Sequence, residues 1–387
     1  MVPRQVIEPA SAEDLAAALA SATQQRASVV IRGGGTKIEW GRPPAPIDIL
    51  LSTKRLDKLV AHEHADLTAT MQAGARIADV NRELARHGQC LPIESPFDDA
   101  TIGGAIATND SGPLRHRYGT PRDLVIGVRL ALTDGRIVKA GGNVVKNVAG
   151  YDLGKLVSGS FGSLAAIVSA TFKLSPLPAA SNTLVARFES SDALVVALDA
   201  IRDSQLEAAT CEVHTSPSRL LLKFESTPGA LNAHVQQARA LVGGATCQVV
   251  AGTTEVELWR EYSSAPWTSP GAIVKATWLP ASLRDVLAFV QEMSASAPVE
   301  LSGRAAIGSG LVRVEGDLSA QRRVVEQMRA RGGSAPLFRH VVVLRASTEL
   351  KQQVDVWGSL GDAAALGAAV KSALDPQGIL NAGRGPV

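Results

Sequence analysis

Three consecutive glycines follow a short β-branched run in the segment VVIRGGGTKIEW, residues 29–40. The segment contains neither the GxGxxG fingerprint that opens a dinucleotide-binding helix nor the GxxxxGK[ST] pattern of a phosphate loop. Two interpretations remain open. The glycines could form a flexible turn, or they could form a concave nest whose backbone amides point at the phosphates of a ligand. This segment alone does not favour either one.

Two further glycine-rich segments favour ligand binding. Residues 95–119, SPFDDATIGGAIATNDSGPLRHRYG, combine glycines with small hydroxyl and amide side chains, and residues 147–170, NVAGYDLGKLVSGSFGSLAAIVSA, add four more glycines. Small residues at this density leave room for a bulky ligand. Hydroxyls and amides supply the hydrogen bonds that a pyrophosphate and a polar heteroaromatic ring need.

The N-terminal half of the sequence alternates strand and helix patterns. Ser11 precedes an Ala-rich helix over residues 11–22, with Asp14 placed to complete a capping box. Residues 75–88 predict an amphipathic helix closed by a glycine. Residues 123–141 predict a hairpin, because an Asp-Gly turn separates two alternating runs. Pro176 and Pro178 then mark a domain boundary.

Beyond that boundary the order of elements repeats. Residues 183–250 and residues 272–345 each predict strand, helix, strand, strand, helix, strand, which is the βαββαβ order of a ferredoxin-like unit. No residue-level repeat accompanies this order. Two such units predict a second, antiparallel sheet with helices on one face, and hence an α+β chain.

The composition excludes several classes of function. A total of 39 basic and 37 acidic residues gives a net charge of +2, which indicates no bulk attraction for nucleic acid or an anionic membrane. The three cysteines, Cys90, Cys211 and Cys247, form no CxxC pair, so no iron–sulfur cluster is expected. The N-terminal residues lack a signal-peptide pattern, and no apolar run approaches the ~20 residues that span a bilayer. We expect a cytoplasmic protein that reaches the inner face of a membrane only through partners.

Four motifs in order carry a resemblance to a known family. VIRGGGTK, ATIGGAIATNDSGPLRHRYG, NVAGYDLGKLVSGSFGSLAAI and DPQGILNAGR resemble the FAD-binding domain of the vanillyl-alcohol oxidase/PCMH flavoprotein superfamily. Within it, the length and motif order are similar to those of the FAD-binding subunits of glycolate oxidase. The resemblance implies a PCMH-type FAD-binding domain of two α/β subdomains over residues 1–178. An α+β cap with ferredoxin-like units over residues 179–374 and a tail over 375–387 that returns to the flavin are also implied.

The resemblance also implies which residues contact FAD. In this superfamily the first glycine loop holds the pyrophosphate, the second segment wraps the ribityl chain and the isoalloxazine, and the third approaches the adenosine. The implied contacts are Arg32, Gly33, Gly34, Gly35, Thr36, Lys37, Pro96, Thr101, Ile102, Gly103, Gly104, Thr108, Asn109, Ser111, Gly112, Gly162, Ile167 and Asn381. Some relatives attach the flavin to a histidine where this chain has Thr36 and Lys37, so non-covalent FAD is expected. Ala165 and Ala382 depart from the family pattern, in place of a glycine and a proline.

Candidates for catalysis are few. Oxidation of a 2-hydroxy acid needs a cation for the carboxylate and a base, most often histidine, for the hydroxyl proton. Arg115 and His116 follow the second glycine-rich segment and are the most suggestive pair, while His340 is a weaker candidate. An alternative for these arginines is that they only pin a phosphate or neighbouring acids. His62 and His64 are read as a solvated face, so no metal site is expected.

Three functions remain open at this stage. The resemblance implies an FAD-binding subunit of a 2-hydroxy-acid (glycolate) oxidase or dehydrogenase complex that takes part in oxidation of glycolate to glyoxylate. Its partners would be a larger FAD-linked oxidase subunit and an iron–sulfur subunit that receives electrons. The lack of cysteine clusters agrees with this, since iron–sulfur centres would then lie in a partner. The alternatives are a stand-alone FAD-dependent hydroxy-acid or alcohol oxidoreductase and a non-catalytic assembly subunit.

Overall fold

The computed structural model describes residues 3–43, 46–142, 150–333 and 335–385. Residues 147–149, which begin the third glycine-rich motif, lie outside this set. The chain divides into two compact units. The first contains Met1–Gly112, Tyr118–Leu177 and Ser359–Val387, and the second contains Pro113–Arg117 and Pro178–Gly358.

The described residues up to 177 form short strands and helices that alternate. In chain order these are β1 (Gln5–Ile7), α1 (Ala12–Gln24), β2 (Val29–Arg32), β3 (Ile49–Ser52), β4 (Leu59–Glu63), β5 (Thr68–Gln72), α2 (Ile77–Ala85), β6 (Gln89–Cys90), α3 (Ile102–Thr108), α4 (Arg115–Tyr118), α5 (Pro121–Leu124), β7 (Val125–Ala131), β8 (Ile137–Gly141), α6 (Leu153–Val157), β9 (Ala166–Lys173) and β10 (Ser175–Pro176).

The first unit is built on two main sheets. A parallel sheet has the order β1-β3-β2, and an antiparallel sheet has the order β4-β5-β9-β7-β8. Helix α1 packs its apolar side on the parallel sheet, while α2 and α3 contribute to a second core with β5, β7 and β9. A short pair, β6 with β10, completes the described strands of this unit.

Local sequence signals explain several of these elements. The Ser11 hydroxyl accepts a hydrogen bond from the Asp14 amide at 3.0 Å, as expected for an N-cap, and the Asp14 carboxylate accepts from the Ala10 amide. In α2, Ile77, Val80 and Leu84 are all buried, which confirms the predicted amphipathic face. Strands β7 and β8 pair antiparallel, which confirms the predicted hairpin.

The main segment of the second unit begins with β11, and its elements follow the predicted order closely. They are β11 (Ala180–Arg187), α7 (Ser191–Arg202), β12 (Thr210–Thr215), β13 (Ser218–Ser226), α8 (Pro228–Leu241), β14 (Thr246–Ala251), α9 (Gly252–Thr268), β15 (Ala272–Thr277), α10 (Leu283–Ser294), β16 (Val299–Arg304), β17 (Ser309–Val314), α11 (Leu318–Ala330), β18 (His340–Arg345) and α12 (Thr348–Gln353). No helix in the described part of the chain is both long and apolar enough to cross a bilayer.

All eight strands of this unit form one antiparallel sheet. The order is β14-β11-β13-β12-β16-β17-β15-β18, so each predicted βαββαβ unit supplies four neighbouring strands. The two halves join where β12 pairs with β16, with Val213 opposite Gly303. Helices α7, α8, α10 and α11 share one apolar core with the sheet. The predicted second antiparallel sheet is therefore continuous across both halves.

One helix departs from the expectation that the helices cover a single face. Leu220 and Leu222 belong to the main core, whereas Leu221 packs with Trp259 and Tyr262 of α9. Because successive side chains of a strand point to opposite faces, α9 covers the other side of the sheet. Its attachment is partly polar, since the Trp259 indole donates to the Thr183 hydroxyl at 2.8 Å.

A last helix, α13 (Ala363–Leu374), and the tail after it belong to the first unit. The sequence predicted that residues up to 374 belong to the second domain, and the contacts of a buried lysine–aspartate pair with the first unit account for the difference. The Lys371 ammonium lies 2.5 Å from the Asp375 carboxylate and donates to the carbonyl of Ser163 at 2.7 Å. The Asp375 carboxylate also accepts from the amides of Ile379 and Leu380. These bonds fix α13 and the tail on the first unit.

Replacing Asp375 with alanine is expected to destabilise the chain by about 3–5 kcal/mol, because it leaves the largely buried Lys371 ammonium without its counter-charge. Asp375 is 2% exposed, so water does not replace the lost contact. Urea unfolding measures the effect. Asp362→Ala is the control, since Asp362 is exposed and its side chain caps no amide of α13. Equal unfolding midpoints for the two variants would contradict the stabilising role assigned to the Lys371–Asp375 pair.

Candidate functional site

A cleft in the first unit brings together four separate parts of the chain. They are the loop after β2, the beginning of α3, the turn before β9 and the C-terminal tail. The lining residues are Ile31, Arg32, Gly33, Gly34, Gly35, Thr36, Lys37, Ile38, Thr53, Ala73, Thr101, Gly103, Gly104, Ala107, Thr108, Phe161, Gly162, Ala165, Ile167, Asn381 and Arg384. The three glycine-rich segments therefore meet at one place.

The glycine loop packs against the second segment so closely that no side chain fits between them. A Cβ on Gly34 would lie 1.8 Å from the Asp99 carbonyl oxygen, and one on Gly33 would lie 2.2 Å from Oγ1 of Thr101. Both distances are far below van der Waals contact, so only glycine fits at these two positions. Thr101 in turn caps α3 by accepting from the Gly104 amide at 3.3 Å. The loop is thus fitted against the start of that helix.

The amides of this loop are available to a ligand. Within the described part of the chain, the N–H groups of Gly33, Gly34, Gly35 and Thr36 donate no hydrogen bond to another residue. Gly35 adopts a φ of 79°, in the left-handed region. Successive amides that alternate between such conformations form a concavity that binds anions. This supports the nest over the flexible turn.

Two buried side-chain atoms in the wall also lack a partner. Nε of Arg32 and Oδ1 of Asn381 are buried and form no hydrogen bond with any described residue. Buried polar atoms are nearly always satisfied in folded proteins, so a polar ligand at this position would complete both of them. The Asn381 amide nitrogen is already used, because it donates to the Phe161 carbonyl.

The C-terminal tail closes one side of the cleft through Arg384. Its guanidinium donates to the carbonyls of Ile38 and Trp40, with 3.0 Å to the Trp40 oxygen. Burial lowers the pKa of Arg384, and an arginine nevertheless stays charged at neutral pH. Sequence reasoning missed this residue, although it stands in the same NAGR motif as Asn381.

Lys37 is engaged inside the protein. Its ammonium lies 2.9 Å from the Asp110 carboxylate, and both side chains are largely buried. The rings of Trp40 and Phe97 lie within 6 Å of the same ammonium, at 5.6 and 5.8 Å from their centroids. The lysine therefore ties the first loop to the second segment as well as lining the cleft.

Most of the predicted contact residues line the cleft, and five do not. Ile102 is fully buried in the apolar core, and Asn109 ends α3 in a left-handed conformation while accepting from the Arg122 amide at 3.1 Å. A Cβ on Gly112 would meet Glu94, so its small size serves local packing. Pro96 and Ser111 are half-buried outside the lining. Thr53 and Ala73, which no motif marks, and Phe161, which lies within the third motif, were not predicted as contacts.

The catalytic candidates belong to the second unit. Arg115 and His116 fall in the short segment Pro113–Arg117, and His340 is the exposed first residue of β18. Burial lowers the pKa of His116, which favours the neutral imidazole that a general base requires. A catalytic role for these three residues stays a prediction.

Comparison with known proteins identifies the family to which this chain belongs. The family model described as "FAD binding domain" matches residues 3–141. The glycolate oxidase subunit GlcE of Escherichia coli (strain K12) is 32% identical over 258 residues, which covers 65% of this chain and 69% of GlcE. Together with the fold, these matches define a flavoprotein with a PCMH-type FAD-binding domain, and FAD is its cofactor. The chain belongs to the family of the glycolate oxidase FAD-binding subunit GlcE.

Other relatives match a smaller share of their own length. The glycolate oxidase subunit GlcD of Bacillus subtilis (strain 168) is 33% identical over 223 residues, 57% of this chain and 47% of GlcD. The chain thus spans about half the length of that relative. Among solved structures, alkyldihydroxyacetonephosphate synthase superposes with a TM-score of 0.73 at 17% identity, covering 98% of this chain and 76% of the synthase. That likeness shows the fold alone.

The residues of the cleft fit an FAD. Four unpaired amides and two arginines, Arg32 and Arg384, match the charge and acceptors of a pyrophosphate. Apolar residues such as Ile31, Ala165 and Ile167 provide surface for the flat rings of the ligand. The polar residues of the cleft therefore suit the pyrophosphate of FAD, and its apolar residues suit the rings.

Gly104→Ala tests whether the cleft holds the cofactor. The added Cβ faces the cleft and meets only Oγ1 of Thr101, at 3.2 Å, so the fold should tolerate it. We expect FAD affinity to fall about tenfold, or ~1.4 kcal/mol, because the methyl group occupies ligand space. The absorbance ratio of flavin to protein in a titration with FAD measures this. Gly229→Ala is the control, since a Cβ there meets nothing within 4 Å. Equal affinities would contradict the placement.

Gly34→Ala should act differently, through stability. Its Cβ would collide with the Asp99 carbonyl oxygen, so the backbone must shift even without ligand. We expect a loss of about 1–3 kcal/mol, as for other overpacked sites. Thermal unfolding of FAD-free protein measures it. An unchanged midpoint would show that the loop does not pack against residues 99–101.

Proposed function

We propose that this chain is the FAD-binding subunit of a 2-hydroxy-acid oxidase or dehydrogenase complex that oxidises glycolate to glyoxylate. The observation that carries the proposal is the glycine-walled cleft of unpaired amides, in a chain that is 32% identical to GlcE over 69% of that subunit. The names of GlcE and GlcD supply the substrate class and the idea of a complex.

The cofactor, when bound, supplies two-electron redox chemistry. The chain's own residues would bind and orient it. The loop amides from Gly33 to Thr36 would donate to phosphate oxygens, and the Arg32 and Arg384 guanidiniums would offset their charge. The unused oxygen of Asn381 would accept from an N–H or O–H of the ligand.

Non-covalent attachment fits the composition of the cleft. No histidine, cysteine or tyrosine is present among its described lining residues, and these are the side chains able to bond a flavin. Thr36 and Lys37 stand where some relatives carry a histidine, and Lys37 is paired with Asp110. Release of intact FAD on denaturation, with no colour left on the protein, is therefore part of the proposal.

Electron transfer out of the chain would need partners. Among the described residues, Cys90, Cys211 and Cys247 form no disulfide and no cluster of cysteines suited to iron. A larger FAD-linked subunit and an iron–sulfur subunit would supply the next carriers. Any attachment to the inner face of a membrane would come through that complex.

A substrate site within this chain would rest on His116 and Arg115. A neutral imidazole accepts the hydroxyl proton, and a guanidinium holds the carboxylate. The lowered pKa of His116 is consistent with the first role. If instead this chain only carries electrons, the larger subunit oxidises the substrate.

The visible spectrum of the purified chain decides between these cases. We expect flavin bands that persist when glycolate is added anaerobically to the isolated chain, and that bleach when the larger flavoprotein subunit is co-purified. The expectation follows from the lack of any described histidine in the cleft wall, so no base lies there to take the hydroxyl proton. D-Lactate is the comparison substrate.

Two other outcomes have clear meanings. Bleaching of the isolated chain at a rate equal to that of the complex would establish the stand-alone oxidoreductase and refute the need for a partner. A colourless chain that takes up no added FAD would refute the proposal and favour an assembly subunit. His116→Gln, compared with His340→Gln, then identifies which histidine contributes to turnover in the complex.

A further inference from the structure

Three histidines meet on the surface of the first unit, at a place the proposed function does not use. His62 lies in β4 and His64 directly follows that strand, so the two side chains share one face. His87 lies two residues beyond the end of α2, before Gly88, whose φ is 66°. The fold therefore adds a third imidazole to a pair that the sequence analysis read as a solvated face.

The three rings are in contact. Ring centroids are 4.1 Å apart for His62 and His64, 3.9 Å for His64 and His87, and 5.2 Å for His62 and His87. One ligating nitrogen from each ring lies within 4.8 Å of the other two. In the part of the chain that the structure describes, no other histidine, cysteine or carboxylate group of three meets this criterion.

A buried glutamine orients one of the rings. The Gln89 amide nitrogen donates to the His64 carbonyl at 2.9 Å, which turns its oxygen towards His62. That oxygen lies 2.8 Å from Nε2 of His62, so Nε2 carries the proton and Nδ1 keeps the lone pair. Gln89 is only 8% exposed and is held in β6. Metal-binding histidines are commonly held in this way by a neighbouring acceptor.

We infer that His62, His64 and His87 bind one Zn²⁺ ion. Zinc takes three imidazoles with a fourth ligand from water, at Zn–N distances of about 2.0–2.1 Å. In a tetrahedron this sets the nitrogens about 3.4 Å apart. His64 and His87 are exposed, so rotation of their side chains can close the remaining gap. His62 is already oriented by Gln89.

The ion would link three elements that are distant in sequence. It joins the end of β4 at the outer position of the five-stranded sheet, the turn after it, and the residues that follow α2. None of the three histidines lines the FAD cleft. Zinc would therefore stabilise the first unit without taking part in cofactor binding.

The test uses the full chain, FAD-loaded and free of any polyhistidine tag, titrated with ZnCl₂ by isothermal calorimetry. We expect one ion per chain in the wild type. His64→Ala and His87→Ala should each weaken binding by about 10–100-fold or more, since a lost ligand costs at least as much as a lost outer partner. His340→Ala, which removes an exposed histidine of the second unit, should bind as the wild type does.

A thermal measurement provides a second readout. Zinc should raise the unfolding midpoint of the wild type and of His340→Ala, and leave that of His87→Ala unchanged, because only a folded site binds the ion. FAD content, equal in all four proteins, checks the fold. No zinc uptake by the wild type, or equal uptake by all four proteins, would overturn the inference. Both results are independent of glycolate oxidation.

Discussion

The first unit depends on a contact between two backbones that only glycine permits. The loop after β2 lies against residues 99–101 so closely that a Cβ on Gly33 or Gly34 would overlap Thr101 or Asp99. Thr101 also caps α3, so the same contact fixes the start of that helix. The glycines thus allow residues 99–101 to pack closely and leave their own amides available for ligand oxygens. Close packing and ligand binding both require glycine at these positions. The sequence of the loop alone therefore does not show which of the two roles the glycines serve.

Elements with a local cause could be predicted from the sequence. The apolar spacing of Ile77, Val80 and Leu84 predicts α2, and the Ser11 cap predicts the start of α1. Both βαββαβ units were predictable, because each strand and helix carries its own period. The cleft was predictable in outline as well, since its glycines stand in continuous motifs. The identity of the cofactor, FAD, was predicted from the resemblance to a known family and not from residue spacing.

Features that rest on long-range contacts could not be predicted in this way. Helix α9 is largely polar and contains Pro266, and it is held by contacts such as the Thr183 hydroxyl donating to the buried Glu255 carboxylate. Helix α13 has no buried residue, so contacts such as the bond from Lys371 to the Ser163 carbonyl, and not an apolar stripe, show which unit it joins. Arg384 and His87 likewise gain their surroundings only when distant segments meet. The periodicity of the sequence does not indicate which distant segments come into contact.

The pairing of β12 with β16 reduces the number of exposed sheet edges in the second unit. Two separate four-stranded sheets would present four outer strands, each with unpaired backbone groups that can recruit another chain. Joining the halves leaves β14 and β18 as the outer strands of the described sheet. Residues 210–214 of β12 are buried, and Leu301 of β16 is 0% exposed. Each half therefore covers an outer strand of the other, and removing either half would expose that strand's unpaired backbone groups.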